Sequence, residues 1–124
     1  MAKKILIAED EANIITSVEF LLQNAGYELR IARDGEEALR GVGEFLPDLV
    51  LLDVMMPLRN GFEVCQKIRE NAQWGYIKIV MLTAKGRQTE ISKGLALGAD
   101  AYLVKPFSTK ELLEQVQRQL GAPG

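Results

Sequence analysis

Five short apolar runs recur along this chain, and each is followed by a stretch in which apolar residues return every three or four positions. The runs are Lys3–Ala8, Tyr27–Ala32, Asp48–Asp53, Ile77–Leu82 and Ala101–Val104. Runs of this length, rich in Val, Ile and Leu, read as strands, and the intervening spacing is that of amphipathic helices. The helical stripes are Ile14 or Ile15, Val18, Leu21 or Leu22 and Ala25; Ala38 or Leu39, Val42 and Phe45; Phe62, Cys65, Ile68 and Ala72; Ile91, Leu95 and Ala96 or Leu97; and Leu112 or Leu113, Val116 and Leu120. Strict alternation, with nearly continuous apolar character in strands one and three, leads to an α/β fold. Its parallel five-stranded sheet is covered by helices on both faces and joined by right-handed crossovers, a three-layer doubly wound architecture. The flavodoxin-like strand order 2-1-3-4-5 places a topological switch point between strands one and three.

Local punctuation agrees with this reading. Gly26 and Gly98 stand where left-handed helix ends belong, Asp34-Gly35 turns strand two into its helix, and Pro47 stops that helix. Ser108 or Thr109 supplies an N-cap for the last helix. Gly94 falls inside the fourth helix, which has the fewest core positions, so that helix is expected to be the softest.

With 124 residues and 48% hydrophobic content, the chain suffices for one ordinary core and is too short for two. The domain is expected to fill residues 1–124, with 121–124 a tail or the start of a linker. A net charge of −2 offers no basic footprint for direct nucleic-acid binding, and no apolar segment approaches the length of a membrane span. The single cysteine, Cys65, has no disulfide partner within the chain, which suits a reducing compartment, and the expected location is cytoplasmic. Histidine is absent. That removes Ser-His and Cys-His nucleophile pairs and the commonest zinc ligand, leaving Asp, Glu, Lys and Thr to carry any chemistry.

Those residue types sit in a telling place. Glu9 and Asp10 follow Ile5–Ala8, Asp53 closes Leu49–Leu52, Thr83 follows Ile79–Leu82, and Lys105 with Pro106 follows Ala101–Val104. In open α/β sheets ligands bind outside the carboxyl ends of the strands, so these groups should converge. Each has a bland reading by itself: Asp10 an N-cap, Glu9 and Asp53 polar strand ends, Thr83 a turn residue, Lys105 a solvated charge. Independent solvated ends, however, have no reason to gather around one switch point.

Three carboxylates in one crevice repel each other unless a proton or a cation intervenes, and oxygen-only ligation with few protein ligands suits Mg2+. Three carboxylates, Mg2+ and Lys105 sum formally to zero, a balance able to accept a dianionic phosphoryl group. A carboxylate can itself be the nucleophile, giving an aspartyl phosphate, and Asp53 is placed for that role. The Thr83 hydroxyl and the Ala84 backbone N–H would donate to phosphoryl oxygens while Lys105 supplies a compact positive charge. Met55 and Met56 read as gap-filling side chains, with the Met55 carbonyl within reach of the metal, Trp74 as a packing plug and Cys65 as a small buried residue.

From about Lys3 to Leu120 the chain resembles the receiver domain of two-component response regulators, the CheY-like fold. The resemblance rests on Glu9-Asp10, Asp53 to Pro57 with Gly61, Leu82-Thr83-Ala84, Gly98 to Tyr102, and Lys105-Pro106-Phe107. It implies that Asp53 is the phosphoacceptor, with Asp10, Asp53 and the Met55 carbonyl as direct Mg2+ ligands. Glu9, where aspartate is commoner, would reach the metal through water. It further implies that Thr83 and Lys105 assist the phosphoryl group and that the ring of Tyr102 turns inward when Thr83 is drawn toward it. The Lys105-Pro106 bond would be cis, and the surface of helix four, strand five and helix five would be the readout.

The donor would be a phosphohistidine on a histidine kinase or phosphotransfer protein, the histidine this chain lacks. The recipient of the signal is either a downstream protein or a fused output domain, transcriptional among the options. Ala101 and Gln115 stand where winged-helix regulators often pair an acid with a base across a dimer, which speaks against that dimer here. Met55 and Lys85 flank the path of the attacking water without an orienting carboxylate or amide, so slow self-dephosphorylation is expected. The enzyme-class rival, an aspartate-nucleophile phosphatase, would need a second acid where Met55 stands. A flavodoxin-like mononucleotide binder would need a Ser/Thr/Gly-rich loop where Glu9 and Asp10 stand.

Overall fold

The computed structural model describes residues 2–84 and 86–121. Met1, Lys85 and residues 122–124 lie outside the described residues. Five strands alternate with five helices: β1 Lys4–Ala8, α1 Ala12–Asn24, β2 Glu28–Ala32, α2 Gly35–Phe45, β3 Leu49–Asp53, α3 Gly61–Glu70, β4 Lys78–Ala84, α4 Gln88–Ala96, β5 Ala101–Lys105 and α5 Thr109–Leu120. All four pairings are parallel and the order is β2-β1-β3-β4-β5.

Side-chain alternation divides the core into two layers. Leu6, Ala8, Val50, Leu52, Ile79 and Met81 pack with Ala38 and Val42 of α2 and Val64, Cys65 and Ile68 of α3. Ile5, Ile7, Leu49, Leu51, Val80, Leu82 and Leu103 face Val18 and Leu22 of α1 and Leu112 and Val116 of α5. β3 is buried along its whole length because both faces are covered, the situation that produces an unbroken apolar strand.

The helix ends carry their own signals. In α3 and α5 the N-caps Asn60 and Ser108 accept from the N–H of Glu63 and Glu111, whose side chains accept in return from the cap N–H groups. Ser108, not Thr109, is therefore the cap of α5. Gly26 and Gly98 have φ of 97° and 110°, the left-handed conformation after α1 and α4. α2 ends on Leu46 at φ 53°, one residue before Pro47.

Four sequence expectations shift. β4 continues through Thr83 and Ala84, and β5 through Lys105, because Thr83 still pairs with Val104 and Ala84 with Lys105. Ala72 leaves α3: Asn71 turns extended at φ −95°, ψ 111° and caps a short 3-10 turn, Ala72–Trp74. Leu95 is exposed, and the position of α4 that meets the sheet is Gly94, where an added Cβ would lie 3.2 Å from Met81 Cγ. Met56 is buried as expected, whereas the Met55 side chain points outward and fills no gap. Trp74 packs against the α2/α3 core layer and Cys65 is fully buried, as expected of both.

Candidate functional site

Alternation along the strands also sorts the polar residues at their carboxyl ends. Glu9 lies two positions beyond Ile7, Asp53 two beyond Leu51 and Lys105 two beyond Leu103, so all three inherit the face covered by α1 and α5. Thr83 follows Met81 and belongs to the opposite face, toward α3 and α4. β4 separates β3 from β5, yet the Lys105 ammonium reaches Asp53: Ala84, in register with Lys105, is too small to obstruct it. Lys105 Nζ stands 2.8 Å from Glu9 Oε1, 3.2 Å from Asp53 Oδ2 and 3.7 Å from Glu11 Oε1.

Glu9 is completely buried. Its Oε2 accepts the backbone N–H groups of Asp10 and Glu11, each at 3.0 Å. That corrects the N-cap reading of Asp10: the cap position of α1 is Glu11, with no side-chain cap, and it is the preceding Glu9 that ties down the entry to the helix. Glu9 Oε1 has the Lys105 ion pair but no well-angled hydrogen bond, leaving a buried oxygen with coordination capacity. Asp53 is 4% exposed, and its Oδ1 accepts the Met55 N–H at 3.1 Å. The loop behind it is drawn in at Gly61, where a Cβ would stand 2.3 Å from the Asp53 carbonyl oxygen. Only glycine permits that approach.

The electrostatics follow from the packing. Burial, then the neighbouring Glu9 carboxylate and its charge, push Asp53 up to about 7, while the Lys105 charge and the Met55 N–H pull the other way. Burial also acts to raise Glu9, but the close Lys105 ammonium, the neighbouring Asp53 carboxyl and the Glu11 backbone N–H outweigh it and hold Glu9 below the usual carboxylate value. For Lys105, burial favours the neutral amine; Glu9 and Asp53 reverse this and raise the group above an ordinary lysine. The arrangement thus shares too little positive charge among too many acids.

Glu9, Asp10 and Asp53 each offer a carboxylate oxygen within 4.8 Å of the others. Hard oxygen donors, one of them buried with spare capacity, fit a divalent cation such as Mg2+. The same notch, a cavity of about 320 Å³, is lined by Met55, Thr83 and Ala84, and by Glu11 and Glu90 as well. Tyr102 stands apart from it, on a groove between β5 and α5, and its side chain is exposed. It pairs with Met81, two residues before Thr83 on the same strand face. The Lys105-Pro106 peptide is cis.

The response regulator receiver domain model matches residues 5–117. The chain belongs to that family. A putative response regulator from Chloroflexus aurantiacus is 36% identical, with TM-score 0.93 over 97% of this chain and 98% of its own. The chemotaxis response regulator CheY4 of Vibrio cholerae is 37% identical, TM-score 0.90, over 96% and 99%. The receiver domain of a sensor histidine kinase from Pseudomonas aeruginosa, solved with a magnesium ion coordinated in its active-site cleft, is 30% identical, TM-score 0.89, over 98% and 100%. The fold is the CheY-like one, and the acids Glu9, Asp10 and Asp53 fit the phosphorylation site of a receiver in two-component signalling.

Two residues of this receiver escaped sequence reasoning. Glu11 adjoins the Glu9-Asp10 pair and could have been found there; its reach to Lys105 comes from the turn into α1. Glu90 lies seven residues after Thr83, inside a helix, and no strand-end signal points to it, yet it accepts the Thr83 hydroxyl at 2.8 Å. The formal neutrality drawn from three carboxylates therefore omits two more around the same notch.

Proposed function

We propose that this receiver is a phosphorylation-operated switch in which Asp53 accepts a phosphoryl group from a phosphohistidine on a kinase or phosphotransfer protein. The P–N bond of the donor breaks, a P–O bond forms to the Asp53 carboxylate, and the imidazole leaves with the electron pair and takes a proton. The observation that carries the reading is the buried Asp53–Lys105–Glu9 cluster, with Nζ at 3.2 and 2.8 Å from the two acids. A carboxylate so enclosed is oriented from both sides, by the Met55 N–H on Oδ1 and by Lys105 facing Oδ2.

Asp10, Asp53 and the Met55 carbonyl would hold Mg2+, with Glu9 acting through water. The ion would supply charge neutralisation for the incoming dianion. Lys105 offsets negative charge on the phosphoryl oxygens; the Ala84 N–H and Thr83 hydroxyl donate to them. Thr83, once drawn in, vacates space toward which the Tyr102 ring turns, altering the α4–β5–α5 surface that a downstream protein or fused output domain reads. The domain fills the chain as a unit, catalyses only its own phosphorylation and dephosphorylation, and works in the cytoplasm without binding nucleic acid itself. Among the described residues no helix is long and apolar enough to cross a membrane.

Incubation with acetyl phosphate and Mg2+ tests this. A gain of one phosphoryl group on Asp53 is expected; turnover with release of phosphate would indicate the phosphatase, and an unmodified chain would refute the switch. Independently, Mg2+ alone should raise the thermal midpoint of the wild type and not of Asp10→Ala.

A further inference from the structure

Each of the last four helices carries glutamate at the third helical position, Glu37 in α2, Glu63 in α3, Glu90 in α4 and Glu111 in α5. In α3 and α5 this carboxylate turns back to the N-cap N–H at 3.3 Å and closes a capping box. In α4 the cap position is Arg87, which has no side-chain cap, and Glu90 sends its Oε1 to the Thr83 hydroxyl instead. Besides the Glu90 and Ile91 N–H groups donating to the Arg87 carbonyl, the first turn of α4 is therefore fastened to β4 through the Glu90 side chain, which makes no capping bond.

A hydroxyl has one proton to donate. Thr83 is 2% exposed and spends that proton on Glu90, on the α4 side of the sheet, whereas Asp53 ends its strand on the α1/α5 side. The hydroxyl cannot serve Glu90 and a phosphoryl oxygen at once. Glu90 also lines the notch itself, so a dianion arriving on Asp53 repels it. Its helix otherwise buries only Ile91 and Gly94, leaving little else to hold that turn down.

We infer that Glu90 is a positioning residue: it holds the Thr83 hydroxyl away from Asp53 in the unmodified protein, and loss of this bond to the phosphoryl group frees the first turn of α4. The inference rests on the switch reading above and names the residue through which the notch is coupled to α4. The Glu90 carboxylate thereby competes with the phosphoryl group for one donor.

The test is a double-mutant cycle of Glu90→Ala and Thr83→Val, the latter keeping the shape of the side chain without its hydroxyl. With acetyl phosphate and Mg2+, Glu90→Ala should raise the initial rate of Asp53 phosphorylation about three- to tenfold in the wild-type background and leave it unchanged in the Thr83→Val background. Equal effects in both backgrounds, or none in either, would overturn the inference. In the unmodified proteins, amide exchange of Glu90 and Ile91 should quicken several-fold in Glu90→Ala and in Thr83→Val, and no further in the double variant. Adding Arg87→Ser, which supplies a capping hydroxyl that wild type lacks, should return that protection. Failure of wild type to take up phosphate would sink the switch reading alone; the exchange data then decide the Glu90 bond, with unaltered protection in both single variants counting against it.

Discussion

β1 and β3 and the residues beyond them form one wall of the notch; β4, α4 and β5 form the other, and the two are built differently. Every residue of β3 is buried, as are four of five in β1; on the second wall β4 is packed from Ile79 to Thr83, but β5 buries only Leu103 and α4 only Ile91 and Gly94. Glu9, Asp10, Glu11 and Asp53 stand on the first wall, Thr83, Glu90 and Tyr102 on the second. On the switch proposed above, groups that would hold a cation and a phosphoryl group need fixed spacing, which close packing on both sheet faces provides. A surface that would report the event on that proposal needs an opening cost small enough for one hydrogen bond to matter, and the sparse burial of α4 and β5 provides that.

The comparison breaks most visibly at Asp53. Asp53→Asn should abolish phosphate uptake from acetyl phosphate, read by intact mass, because an amide is not a competent nucleophile here; any residual incorporation at another side chain would move the chemistry off the first wall. The two walls should also differ in what a deletion costs. Leu51→Ala removes a completely buried side chain and should lower stability in urea by about 3 kcal/mol, whereas Leu95→Ala, on the exposed face of α4, should change it by less than about 0.5 kcal/mol. Comparable losses would mean that α4 is as firmly held as β3.

A smaller effect is expected at the mouth. The Met55 side chain is 70% exposed and offers no group to orient water, so Met55→Asn should speed loss of phosphate from Asp53 about threefold. An unchanged lifetime, followed after removal of the phosphodonor, would show that water is governed from elsewhere in the notch. Cys65, in the α2/α3 layer, sharpens the picture of the packed wall: burial pushes its thiol up, Asp100 adds to this and Arg69 opposes it. Alkylation by iodoacetamide should therefore track global unfolding rather than local opening, and rapid modification of native protein would contradict the packing described.

Much of the fold was legible because short strands and amphipathic helices write different periods into a sequence, and the observed strand order is one of the few doubly wound orders that such alternation allows. The site was legible for the same reason: strand ends mark where a doubly wound sheet binds ligands, so Glu9, Asp10, Asp53, Thr83 and Lys105 could be gathered before any coordinates. Element ends were less legible. Ala72 keeps the helical spacing of α3, but the extended Asn71 interrupts the hydrogen bonding, and Thr83, Ala84 and Lys105 continue their strands only because each finds a partner across the sheet.

By itself, then, the order of residues determined the layers, the sheet and the ring of polar groups at its edge, since these depend on period and on which residues can be buried. What only the tertiary structure decided was which way each polar group turns. Glu9 rather than Asp10 secures the entry to α1, Lys105 crosses above Ala84 to reach Asp53, and Glu90 rather than the notch holds the Thr83 hydroxyl. The physical reason is that a side chain's partner is chosen among neighbours distant in sequence, by burial and by the number of donors available, and periodicity carries no record of that choice.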